Sequence, residues 1–288
     1  MDNSTLLQPE TFQDYDVLYQ HCVLEWQPPL DAGIKSTEWQ LPWPELKSPA
    51  YKPVNIAGWS LRRYERLPQL GYFQRRQGVG EVYILTLNGK PWMSNCWDEL
   101  ESQAPQVAMA AGHVVIMGAG MGVALYNLLL KPEVTRVTLV ERDPAVVEML
   151  RLVAGLESWP GLDKFNLVVG DALEYQPDGP VDYLYVDIWA TMDDPQVLSD
   201  MQRIQSRVQA RRVCWWGQEV HFLYWLSQQR LPLPATLVYY PRWAGRLQLP
   251  LIGQDDPVYL QQVMQVAWSY TYHNFLRDSH LSQKEQYV

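Results

Sequence analysis

The 288-residue sequence predicts an α/β fold, a doubly wound and mostly parallel sheet preceded by a small antiparallel one. Three observations lead there. From His113 onward, short apolar runs alternate with stretches of helical periodicity, the pattern of a parallel sheet with crossover helices. Acids stand at or just beyond the ends of three of these runs: Glu141, Asp171 and Asp187. Ahead of them, Trp59–Trp97 alternates around an Asn88-Gly89 pair, which reads as antiparallel hairpins.

The organising unit is His113–Pro144. Val114–Met117 reads as a strand buried on both faces. Gly118, Gly120 and Gly122 follow in a G-x-G-x-G turn, and Met121–Leu130 supplies a helix that Pro132 closes. Val137–Val140 is the next strand, and it ends on Glu141. A glycine turn lets the backbone approach a ligand and lets a helix start tight against its strand. An acid at the tip of the second strand can accept hydrogen bonds from both hydroxyls of a ribose. The unit therefore points to an adenosine-type ligand, either a dinucleotide or an S-adenosyl compound. The dinucleotide fingerprint G-x-G-x-x-G/A wants glycine or alanine where this chain has Val123, and no G-x-x-x-x-G-K loop is present.

Upstream, Tyr15–Trp26 reads as a helix stopped by Pro28 and Pro29, and Trp39–Pro53, with four prolines, as an extended surface run. Strands are expected at Trp59–Leu67, Gly71–Arg76, Glu81–Leu87 and Pro91–Trp97. Asp98 with Glu101 has the spacing of a capping box, opening a helix to about Ala111. Downstream, Asp143 and Pro144 suit the start of a helix whose apolar face is Val146, Val147, Met149, Leu150 and Val153. Further strands are expected at Phe165–Val169, Val181–Val186 and Arg212–Trp216, with helices at Gln196–Val208, Glu219–Gln229 and Pro257–Phe275. Ala235–Tyr240 and Arg246–Ile252 read as an antiparallel pair closing the sheet, and Leu281–Val288 as a polar tail. The expected division is an N-terminal segment, 1–110, and a ligand-binding domain, 111–288.

Composition narrows the function. With 47% hydrophobic residues the chain can bury a large core, and its net charge of -9 offers no basic field to neutralise nucleic-acid phosphates. Cys22, Cys96 and Cys214 are odd in number and far apart, which argues against a disulfide framework. The five histidines show no metal-ligand spacing with them, so no metal is expected. The N-terminus lacks the basic and apolar regions of a signal peptide, and no apolar run approaches the ~20 residues that span a bilayer. A cytoplasmic protein without membrane attachment is the expectation.

Ligands bind at the carboxyl edge of an open parallel sheet, where the three acids lie. Glu141 would hold the ribose, Asp171 would accept from the adenine amino group, and Asp187 would face the reactive end. Trp189 beside it could stack on an acceptor, and Trp215, Trp216, Gln218 and Glu219 could wall the pocket.

These residues resemble the class I S-adenosylmethionine-dependent methyltransferase fold, a Rossmann-like sheet, and within it the spermidine synthase-like branch. The resemblance covers roughly Trp59 to Gln229. It rests on LNGKPW, MGAGMG, VTLVERDP, GDA and VDYLYVDIW. It implies S-adenosylmethionine as cofactor, with Gly118, Gly120, Gly122, Glu141, Arg142, Asp171, Ala172 and Asp187 around it and Trp189 on the substrate side. Relatives in the branch often pair, so a homodimer is an expectation.

The branch contains aminopropyltransferases as well as methyltransferases. Aminopropyltransferases carry an aspartate inside the glycine loop, which attracts a propylamine and repels the carboxylate of ordinary S-adenosylmethionine. Met121 stands there in this chain. They also carry a Tyr-His-Glu stretch soon after an Asp-Glu pair, whereas here Asp98-Glu99 is followed by Leu100, Glu101, Ser102, Gln103 and Ala104, without the tyrosine and histidine. Asp187 matches the acid that deprotonates the attacking amine. The loss of the loop carboxylate removes a like-charge penalty and favours methyl transfer to a small molecule. The rivals are an aminopropyltransferase, a non-catalytic protein on the same fold, and a dinucleotide oxidoreductase.

Overall fold

A computed structural model describes residues 43–72, 77–229, 236–257 and 259–260. The helices expected at Tyr15–Trp26 and over most of Pro257–Phe275, and the tail at Leu281–Val288, lie outside the described residues.

The front sheet is an antiparallel meander of β1 (Val54–Ile56), β2 (Trp59–Leu70), β3 (Gln77–Leu87) and β4 (Lys90–Ser94), in that order. Two of its turns are two-residue loops with both residues at positive φ: Ala57 and Gly58 at 48° and 88°, Asn88 and Gly89 at 51° and 80°. That geometry matches the right-handed twist of the strands, and it is why Asn-Gly was a reliable hairpin signal. Of the strand expected at Gly71–Arg76, Gly71 and Tyr72 are not in a strand, and residues 73–76 lie outside the described residues. β2 runs on to Leu70 and pairs with Gln77 there, which leaves Gly71 and Tyr72 in the connection.

Helix α1 (Trp97–Met109) leads into the parallel sheet. It starts one residue before Asp98, with Cys96 at the cap position and no side-chain cap bond. The Asp98–Glu101 capping box does not form. Glu99 turns back instead, accepting from the Ser94 backbone N–H at 2.6 Å and its hydroxyl at 2.8 Å, while Glu101 is buried against Gly71.

The parallel sheet contains β5 (Gly112–Met117), β6 (Val134–Glu141), β7 (Phe165–Val169), β8 (Tyr183–Val186) and β9 (Arg212–Trp215). Its order is β7-β6-β5-β8-β9, every neighbouring pair parallel. Helices α2 (Val123–Leu130), α3 (Pro144–Val153), α4 (Val197–Val208) and α5 (Gln218–Gln228) follow β5, β6, β8 and β9 respectively. The strand order reverses between β5 and β8, so the carboxyl ends of these two strands flank the crevice where such folds bind ligands. This is a Rossmann-like, doubly wound parallel sheet. Val114–Met117 and Tyr183–Val186 are buried along their length, as strands covered on both faces must be.

The antiparallel closing pair is absent among the described residues. Thr236–Leu247 forms helix α6, and Leu251 makes a single parallel bridge to Val213. The β-rich composition of Ala235–Tyr240 suggested a strand, but Tyr240, Trp243, Ala244 and Leu247 recur at helical spacing and are all buried. Their contacts with Phe222 and Trp215 override local preference.

The run before β1 is extended, but it does not stay on the surface: Leu46 and Tyr51 are buried. The Tyr51 hydroxyl donates to the Met121 carbonyl at 2.9 Å, which fastens the segment to the glycine turn. One continuous hydrophobic core contains Trp59, Leu61 and Leu85 of the front sheet together with the parallel strands. No helix among the described residues is long and apolar enough to cross a membrane. Tyr51→Phe should lower stability by about 1 kcal/mol in urea unfolding, the usual worth of one intramolecular hydrogen bond.

Candidate active site at the strand reversal

A cavity of about 410 Å³ opens at the carboxyl ends of β5, β6 and β8. That lies in the range of about 300–1,000 Å³ typical of small-molecule sites. The glycine turn forms part of its floor. Gly118 has φ 91°, and a Cβ there would stand 1.9 Å from the Asp187 carbonyl oxygen. Gly122 has φ 78° and begins α2, where a Cβ would meet Trp159 and Leu150. At Gly120 a Cβ would meet the Met93 sulfur at 2.5 Å. Protein packing thus accounts for all three glycines. What points to a ligand is the cavity itself and the carboxylate beside it.

That carboxylate is Glu141, 8% exposed at the end of β6. Oε2 accepts from the Ala119 N–H at 2.9 Å, and Oε1 from the Asp143 N–H at 2.8 Å. Each oxygen is held by one backbone amide and keeps a second lone pair for a ligand. Asp143 caps α3 through the Ala145 N–H and accepts from the Trp59 indole N–H at 2.8 Å. Trp59 and Trp92, in edge-to-face contact at 5.6 Å, bring the front sheet over the same cavity. Met93 joins them, its sulfur accepting from the Met121 N–H at 3.1 Å.

All the residues expected around the cofactor border the cavity except Gly122, whose place is inside the fold at the start of α2. Arg142 and Asp171 are exposed at its rim, and Ala172 is buried. Asp171 holds a turn by accepting from the Leu173 N–H at 2.9 Å. Trp189 borders the cavity with its ring fixed, its N–H donating to Asp200 at 3.0 Å. Of the four residues suggested as further walls, Trp216 is one, anchored by donating to the Ser102 hydroxyl at 2.8 Å. Trp215, Gln218 and Glu219 are packed behind it: Trp215 against His221, Gln218 with Tyr240, and Glu219 accepting from the Tyr72 hydroxyl.

Asp187 follows β8, its N–H donating to the Met117 carbonyl at 2.8 Å. Its carboxylate borders the cavity, and burial pushes its pKa up to about 7. Glu99 and Gln103 of α1 border the same cavity and were not singled out in the sequence reading. The Glu99 pKa is raised to about 8, chiefly by burial and then by Asp187 and Asp98, against the opposing Ser94 hydrogen bonds. The signal for both residues is their i, i+4 spacing on one face of α1. It becomes legible only once α1 is known to pack beside β8. Among the described residues, the lining holds seven carboxylates and one basic residue, Arg142. No group of three or more metal-ligating side chains occurs among the described residues.

No protein-family model matches the chain, and no curated protein sequence matches it. Solved structures do. A probable spermidine synthase from Corynebacterium glutamicum matches over 55% of this chain and 61% of its own, at 14% identity and a TM-score of 0.35. A glycopeptide N-methyltransferase in complex with S-adenosyl-L-homocysteine matches over 38% and 41%, at 21% identity and a TM-score of 0.30. A 23S rRNA methyltransferase matches over 30% and 33%, at 23% identity and a TM-score of 0.24. This chain therefore spans less than two thirds of each. With TM-scores of this size, the chemistry has to be read from the site itself.

The Asp187 shift has a direct consequence. Folding raises its pKa from 3.8 to about 7, so the folded state favours the protonated form. Its carboxyl therefore lowers stability progressively as pH rises through that interval. Asp187→Asn should raise stability by about 1–3 kcal/mol at pH 8 and by less at pH 5. Urea midpoints at the two pH values check this, and equal shifts at both would remove burial of the charge as the cause.

Proposed function

We propose that this chain is an S-adenosylmethionine-dependent methyltransferase acting on a small molecule. The observation that carries the reading is Glu141, a buried carboxylate aimed into the cavity with both oxygens pinned by backbone amides on either side of it. A carboxylate so fixed is organised to take both hydroxyls of a ribose without reordering. Asp171 and Ala172 would hold the adenine end, with Arg142 at the rim. Gly118 and Gly120 expose backbone toward the methionyl part, and Asp187 faces the reactive end.

Bound there, S-adenosylmethionine supplies an electrophilic methyl group on a sulfonium sulfur. The work of the protein is alignment and exclusion of water. Trp59 and Trp92 of the front sheet, with Trp189 and Trp216 on the far side, supply that enclosure. Asp187, with its pKa near neutrality, is suited to take a proton from an acceptor at physiological pH. The excess of acids over bases in the lining opposes a phosphate-rich acceptor such as nucleic acid.

One observation favours aminopropyl transfer as a second reading. Glu99 and Asp187 place two carboxyl groups on the cavity, and these suit a cofactor lacking a carboxylate of its own. Against it, Met121 is 1% exposed and does not border the cavity, so the glycine loop offers no side-chain carboxylate to a propylamine.

Calorimetric titration with S-adenosylhomocysteine, decarboxylated S-adenosylmethionine and NAD separates the readings. We expect the first to bind and NAD to show no heat. Tighter binding of the decarboxylated compound than of S-adenosylmethionine would reverse the order of the two transferases, and binding of none would remove both. Glu141→Gln should weaken S-adenosylhomocysteine binding by about 10–100-fold, the loss of one to two good hydrogen bonds to a charged acceptor. An unchanged circular dichroism spectrum would show that the fold survives.

A further inference from the structure

We infer that Tyr72 and Glu219 form a positioning pair that sets Trp216, one wall of the cavity, and that ionisation of Glu219 loosens this wall. The inference concerns the protein behind the cavity and holds whichever ligand the cavity takes.

Glu219 lies in the first turn of α5 and is 2% exposed. Its Oε1 accepts from the Tyr72 hydroxyl at 2.5 Å, and its buried Oε2 has no hydrogen-bond partner. The bond joins the connection after β2 to the start of α5. Tyr72, Met192 and Val220 form a small hydrophobic cluster apart from the main core, and Trp216 packs against both. Met192 comes from the loop after β8. It approaches so closely that a Cβ at Gly217, φ 80°, would stand 2.5 Å from the Met192 Cβ. Trp216 immediately precedes this contact and borders the cavity. Its indole N–H is fixed to Ser102 of α1. The ring is thus held by α1 at one point and by the cluster around the Tyr72–Glu219 bond at another.

The two protonation states of Glu219 meet different surroundings. As an acid it accepts the Tyr72 bond on one oxygen and carries a proton on the other. As a carboxylate it leaves a charged oxygen buried without a donor, which is unfavourable. Burial pushes its pKa up to about 7, against the hydrogen bonds from Tyr72 and a backbone N–H. The titratable groups facing it besides Tyr72 are Tyr185 of β8, Cys214 of β9, Tyr240 of α6 and Tyr259. Burial holds each of these four well above its ordinary value, so they stay neutral there. His221, two positions along α5, is held below its ordinary value by burial. Folding therefore favours the acid form of Glu219, and stability is lost as pH rises from 4.5 through about 7. The relief is local. Water reaches Oε2 when the small cluster parts, and a cluster detached from the main core parts most readily. Trp216 packs on that cluster and shifts with it.

The test follows the Trp216 indole N–H in the full chain, without ligand. Protein labelled with 15N-tryptophan is titrated from about pH 5 to about pH 9, a range that spans the Glu219 transition. The resonance is assigned by its loss in Trp216→Phe. The expected result is a shift with a midpoint at about 7. Glu219→Gln keeps the shape and the Tyr72 bond, and it should abolish the shift. Tyr72→Phe removes a bond to the ionised form and should move the midpoint up by about one unit, which a merely space-filling tyrosine would not do. Asp187 and Glu99 border the same cavity and have raised pKa values of their own, so Asp187→Asn and Glu99→Gln serve as controls. Both should leave the midpoint in place.

A resonance that does not move with pH, or a shift that survives Glu219→Gln, would overturn the inference. So would a shift removed by Asp187→Asn or Glu99→Gln, which would assign it to the cavity acids. An unchanged midpoint in Tyr72→Phe would remove Tyr72 from the pair. Where a variant fails to fold, the 13C-carboxyl resonance of Glu219 in the unsubstituted protein decides. A midpoint equal to that of Trp216 supports the pair, and a different one overturns it.

Discussion

The site depends on one close approach. At the end of β5 the chain passes so near the Asp187 carbonyl that no side chain fits at Gly118. The Asp187 N–H donates to the Met117 carbonyl on the same side. These contacts join the ends of β5 and β8 where the strand order reverses, and the crevice opens there. A larger residue at Gly118 would have to separate the two strands, and Asp187 would leave its place. From that junction Glu141 carries the geometry outward. Its two oxygens tie the turn after β5 to the turn after β6. The rim of the cavity is thus a set of short loops cross-linked through one carboxylate, which keeps it in shape without a ligand.

The front sheet completes the enclosure by fastening itself to those same loops. Trp59 bonds to Asp143, Tyr51 to the Met121 carbonyl, and Met93 to the Met121 N–H. None of these partners is an isolated surface group. Each lies in the glycine turn or at the cap of α3. A shift of the front sheet would therefore be felt at the cavity, because interiors packed this closely transmit displacement. The sheet serves as a wall of the site, and its alternating pattern is the means of placing apolar residues on one face only.

The interior of the cavity is arranged at the expense of stability. Asp187 and Glu99 are half-buried at the cavity with raised pKa values, and the buried Gln103 holds an oxygen with no donor. Folding alone gives no reason to keep them. Hydrophobic residues of similar volume would serve the core at least as well. Unmet groups of this kind, gathered at a strand reversal, mark a surface shaped for binding. Glu219 has a similarly raised pKa and an oxygen without a partner, but it does not border the cavity, and Tyr72 bonds to its other oxygen.

The sequence by itself determined what is local and periodic. The glycine turn, the run of buried strands, the Asn88-Gly89 hairpin, and the acids Glu141, Asp171 and Asp187 after their strands were legible, because strand and helix periods and turn chemistry act over a few residues. Tertiary structure decided everything that depends on which elements touch. Ala235–Tyr240 looked like a strand until packing against Phe222 and Trp215 drew Tyr240, Trp243 and Leu247 onto one helical face. Glu101 matched a capping box, yet Glu99 made the backbone contact, since the helix began one residue earlier than the pattern implied. Glu99 and Gln103 gained their meaning only from the placement of α1 beside β8. Their spacing put them on one helix face, but no local rule states which strand that face will meet.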